Sequence, residues 1–107
     1  MTTQPIANAD AGAGFASDTD NTRWTFAGSL TYANAGPVLA AALAMSLPTS
    51  GEVDLNDVDA VDSAAVAVLV ALKRRAAQES RALVFANIPT ALSALADLYG
   101  VDEMLVA

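Results

Sequence analysis

The uninterrupted apolar run from Ala64 to Leu72 limits what this chain can fold into more than any other segment. As a helix it is apolar all round, and such a helix has to be buried. It falls far short of the ~18 residues that a membrane span needs, which leaves burial against a sheet. Directly before it stands Val58-Asp59-Ala60-Val61-Asp62-Ser63, an acidic stretch ending on two side chains with helix-cap chemistry. A helix that starts there turns its unpaired N–H groups and positive dipole end toward Asp62 and Ser63.

The segments around this helix alternate between strand and helix signatures. Arg23-Trp24-Thr25-Phe26-Ala27 alternates polar and apolar β-formers and predicts a strand; Gly28-Ser29 breaks it, and Leu30-Thr31 predicts a short second one. A helix is expected from Ala33 to Met45, capped by Asn34, with Pro37 in its first turn and Val38, Leu39, Ala42, Leu43 and Met45 as its buried stripe. Pro48 to Gly51 ends it, and Glu52-Val53-Asp54-Leu55 predicts a short strand. The apolar helix then runs from Ser63 to Glu79, followed by a buried strand over Leu83 to Ala86. Pro89 opens a third helix with Leu92, Leu95 and Leu98-Tyr99 at helical spacing, and Gly100 closes it. Met104 to Val106 predicts a terminal strand.

This order makes the chain an α/β protein with a mostly parallel central sheet of four to five strands and three helices. Residues 1–21, rich in Ala, Gly, Thr, Asp and Asn without apolar periodicity, are expected to be a flexible tail, and 22–107 the single domain. The first residues carry neither a basic region nor an apolar segment, so a cytoplasmic protein without a secretory leader is expected.

The chemistry available is narrow. The chain has no histidine and no cysteine, which removes Ser-His-Asp and Cys-His nucleophiles, thiol redox chemistry and the commonest zinc ligands. Gly12-Ala13-Gly14 follows no strand, and Ser17 stands where a third glycine would be needed, so no phosphate-cradling loop is present. A net charge of −7 argues against nucleic acid. Glu52, Asp54, Asp57, Asp59 and Asp62 fit no EF-hand frame, since none places a glycine at the sixth position. They remain a solvated acidic loop or an acidic docking surface. No metal, no cofactor and no enzymatic activity are expected. Lys73-Arg74-Arg75, with Arg81 behind, reads as a solvated cluster complementing a helix C-terminus, with a docking patch for an acidic partner surface as the alternative.

Asp62-Ser63 carries two meanings. Either side chain can cap the helix, worth roughly 1 kcal/mol. The Ser63 hydroxyl can instead be displayed for a partner or for phosphorylation, where Asp59 and Asp62 would oppose the added charge and the helix dipole favour it.

Several segments together resemble the STAS domain family, the anti-sigma-factor-antagonist-like fold. They are Gly28-Ser29-Leu30-Thr31, Val53-Asp54-Leu55, Val61-Asp62-Ser63-Ala64, Leu83 to Pro89, and Leu95 to Val101. Within the family, the ending at Ala107 and the Leu-Tyr-Gly-Val motif are most similar to the MlaB type, small cytoplasmic subunits of phospholipid-transporting ABC complexes. The resemblance implies a protein that docks on the transporter's ATPase subunit and touches the membrane only through that complex. Asp62, Ser63, Ala64 and Ala65 would be the partner-binding residues. It equally implies an alternative, an antagonist whose Ser63 is phosphorylated by an anti-sigma factor kinase. The family usually has glycine where Ala65 stands, which points to altered docking.

Overall fold

The computed structural model describes residues 13–106. The chain forms β1 (Gly14–Ser17), β2 (Arg23–Leu30), α1 (Ala35–Leu43), β3 (Glu52–Val61), α2 (Ser63–Gln78), β4 (Val84–Ala86), α3 (Thr90–Leu98) and α4 (Asp102–Val106). The four strands lie in the order β1-β2-β3-β4, with β1 antiparallel to β2 and the other pairs parallel. Successive right-handed crossovers stepping in one direction place α1 and α2 on the same face. The burial pattern agrees: Trp24, Phe26, Val53, Leu55 and Phe85 share one core with residues of all four helices. Thr25, Ala27, Asn56 and Val84, in the opposite phase, are exposed. The fold is thus α/β with a mostly parallel four-stranded sheet; the three expected helices are present, and a short fourth follows.

Several boundaries differ from expectation. The segment 1–21 is not all tail, because residues 14–17 form β1; residues 1–12 lie outside the described residues. Phe15 holds β1 in place, its ring centroid 4.9 Å from that of Phe26 and 5.7 Å from that of Trp24. Asp18 closes the hairpin by accepting from the Thr22 and Arg23 N–H groups at 2.6 and 3.3 Å. Leu30 ends β2 rather than opening a second strand.

β3 is ten residues long, well beyond the expected Glu52–Leu55. Its register against β2 steps from Thr25↔Asp54 to Ala27↔Asp57, and again from Gly28↔Val58 to Leu30↔Val61. Each step inserts one extra residue in β3, a bulge that bends the strand and breaks its alternation. Glu52, Asp54, Asp57 and Asp59 are therefore strand residues rather than a loop, and Asp62 follows the end of the strand. Arg23 bridges Glu52 and Asp54 on the open face of the sheet at 2.7 and 3.0 Å.

The expected terminal strand over Met104 to Val106 is instead helix α4, with Leu105 buried. Gly100, at φ +72°, ends α3, and Asp102 and Glu103 then fill a first helical turn whose dipole favours them. Because the chain turns away there, Leu98 and Tyr99 leave the expected apolar stripe and are exposed; so is Leu43 at the end of α1.

The basic cluster is also not simply a solvated helix end. Arg75 donates to the Ala42 and Met45 carbonyls at 3.0 and 2.6 Å and to Glu79 at 2.8 Å, while Arg81 donates to the Pro48 carbonyl. The Ala44 and Met45 N–H groups cap the Ala41 and Ala42 carbonyls at the end of α1, and the guanidinium of Arg75 adds a charged donor to Ala42 and supplies one to Met45 just beyond the helix.

Candidate functional site

The junction between β3 and α2 is built around one carboxylate. Asp62 is the N-cap of α2, and its Oδ1 accepts from the Ala64 N–H at 2.8 Å. Its Oδ2 accepts from the Tyr32 N–H, 3.0 Å away on the β2–α1 turn. Capping and display are therefore divided between neighbours: Asp62 caps, and Ser63 is exposed at the first helical position.

The four residues expected to bind a partner separate in space. Ser63 is exposed, and Asp62 and Ala64 are half-buried. Ala65 is fully buried, as is Val66 beside it, so Ala65 packs into the core and does not offer a surface. Helical geometry requires this, since Ala65 and Leu69 lie one turn apart on the face that meets the sheet. The methyl that Ala65 carries beyond glycine therefore lies in the core.

Asp57 and Asp59 are exposed on the bulged end of β3, which runs beside the end of β2. With Asp62 they make the rim of this end of the sheet acidic. Asp54, further back, serves the open face: the Asn87 side chain, the Asn56 N–H and Arg23 all donate to it, and together they hold its carboxyl below the ordinary value. None of these groups approaches Ser63 in the strand register.

Two features of the site escaped the sequence reading. The first is Tyr32, 85% exposed at the tip of the turn that Asp62 holds. The second is α1, which packs beside α2 and has no charged residue. No Asp, Glu, Lys or Arg occurs from Trp24 to Gly51, and that absence was the available signal. Gly36, Pro37, Ala40, Ala41 and Leu43 are exposed on α1, and Ala67 is exposed one turn beyond Ser63 on α2. A surface helix normally carries polar residues outward; one without them is suited to contact rather than to water.

Among the described residues, no helix is long and apolar enough to cross a membrane. A family model described as the Mlab, STAS domain matches residues 13–107. No curated protein matches the chain.

Proposed function

The chain belongs to the MlaB-type STAS domain family, and from that premise we propose that it is a non-enzymatic cytoplasmic subunit that binds the ATPase of a phospholipid-transporting ABC complex. The observation that carries this reading is the uncharged, exposed face of α1 beside the α2 N-terminus. Such a face is stable against a partner's apolar surface, and the exposed Ser63 and half-buried Ala64 extend it onto α2. The chain's part is then to bind and hold the ATPase subunit, supporting assembly and activity without chemistry of its own. Family membership supports the MlaB type; the ATPase as partner is our inference from it.

The exposed Ser63 also supports a second reading, an antagonist switched by an anti-sigma factor kinase. Against it stands Asp62, whose two oxygens already accept from Ala64 and Tyr32 and would face any phosphate on the next residue. Phosphate transfer to Ser63 by such a kinase, lost in Ser63→Ala, would favour the second reading.

Titration calorimetry of the chain with the purified ATPase subunit separates the two. We expect binding by the parent chain, weakened at least about tenfold by Ala40→Glu and by Ser63→Glu, because each buries a charge in a desolvated contact. Both positions are exposed, so melting temperatures should stay near the parent's. Unchanged affinity in both variants would remove this face from the proposal.

A further inference from the structure

The turn carrying Tyr32 is held more firmly than a surface connection requires. All five backbone N–H groups from Thr31 to Ala35 have acceptors within the chain. Thr31 donates to Asn34 Oδ1 at 3.0 Å, Tyr32 to Asp62 Oδ2 at 3.0 Å, and Ala33 to Thr31 Oγ1 at 3.2 Å. Asn34 and Ala35 both donate to the Thr31 carbonyl, at 3.1 and 2.9 Å. Asn34 is itself buried and returns its Nδ2 to the Ser29 carbonyl at 2.8 Å. It was expected to cap α1; no side-chain cap bond forms there, and Asn34 pins the turn instead.

The turn is thus fixed by three side chains, while the aromatic ring at its tip makes little contact with its own protein. Tyrosine on a preorganised backbone gives up little entropy when bound, and aromatic anchors of this kind dominate contact energies. The surroundings specify what receives it. One side is the uncharged face of α1, and the other is the end of β3, where Asp59 is exposed and Asp62 holds the turn.

We propose that Tyr32 is the anchor of the partner contact, its ring entering an apolar pocket of the ATPase whose rim carries Lys or Arg, and that Asp62 is the residue that positions it. The proposal rests on the ATPase reading above and adds the contact that sets its specificity. Asp62 acts through the backbone of Tyr32, not by touching the partner first. A charged rim of opposite sign also makes association sensitive to salt.

The test is a calorimetric double-mutant cycle with the same ATPase subunit, using full-length chains. Tyr32→Ala should weaken binding at least about tenfold, with a melting temperature near the parent's, whereas Tyr32→Phe should stay within about threefold. In an Asp62→Asn background only one acceptor remains for two N–H groups, the ring is no longer fixed, and Tyr32→Ala should then cost at most about threefold. A role of Asp62 in stability alone would lower the melting temperature and leave the cost of Tyr32→Ala unchanged. That result would overturn its positioning role. Less than tenfold weakening by Tyr32→Ala would overturn the anchor while leaving ATPase binding intact. No binding by the parent chain would overturn the ATPase reading together with the anchor.

Discussion

Replacing Gly51 by alanine tests how tightly the entry to β3 is built. Gly51 sits at φ +76°, and a Cβ there would lie 2.6 Å from the Ala82 carbonyl oxygen. Alanine in the left-handed region costs about 1–2 kcal/mol by itself. The contact adds to this, because the carbonyl must retreat by about 0.8 Å to regain ordinary separation. It is not free to do so: the Val84 N–H donates to the Gly51 carbonyl at 2.7 Å, locking the two segments together. A forced backbone shift of this kind costs about 1–3 kcal/mol. The sum is about 3 kcal/mol, or roughly 10 to 20 °C of melting temperature for a domain of this size. Gly100 provides the control, with φ +72° and nothing within 4 Å of where its Cβ would stand. Gly100→Ala should therefore lose only about 1–2 kcal/mol, or roughly 4 to 12 °C. Thermal unfolding followed by circular dichroism, with urea titrations to confirm that the slope is unchanged, measures both. Equal losses in the two variants would refute the reasoning, since only the carbonyl contact distinguishes them.

Arg75→Met should destabilise the domain by about 2 kcal/mol in urea titrations, because the carbonyls of Ala42 and Met45 lose charged donors. Arg75→Lys should restore less than half of that, as one ammonium cannot reproduce the planar fork. The depressed carboxyl of Asp54 gives a pH dependence. Its folded value lies below the ordinary 3.8, so its stabilising effect is complete above that value and is lost as pH falls through the lower folded one. The stability gap between the parent and Asp54→Asn should accordingly be constant from neutral pH to about 5 and shrink below 3.8. A gap that widens in acid would contradict this sign.

The element order was legible because Ala64 to Leu72, Val53-Leu55 and Leu83 to Ala86 are strongly apolar and bounded by Gly, Pro or cap residues. Asp62 as the cap of α2 was legible for the same reason. The length of β3 was not, since its two bulges interrupt the period of two that marks a strand. β1 was hidden because Phe15 alone supplies its apolar contact, among Gly, Ala and Ser. The terminal segment misled because Leu105 is buried in a helix as readily as in a strand; Asp102 and Glu103 were the helix signal. At the site, the Asp62–Ser63 pair was found by position in sequence. Tyr32 was not, because its meaning comes from a bond to a residue thirty positions away.

The guanidinium that ends α1 is supplied late. Arg75 follows its acceptors Ala42 and Met45 by 33 and 30 residues. A ribosome adds that length in roughly 2 to 7 seconds. Through that interval the uncharged segment from Trp24 to Gly51 is already made, yet its helix has neither the Arg75 guanidinium nor the α2 surface to lie against. The end of α1 is thus completed by a tertiary contact, and a chain truncated before Arg75 holds neither that guanidinium nor the α2 face against which α1 lies.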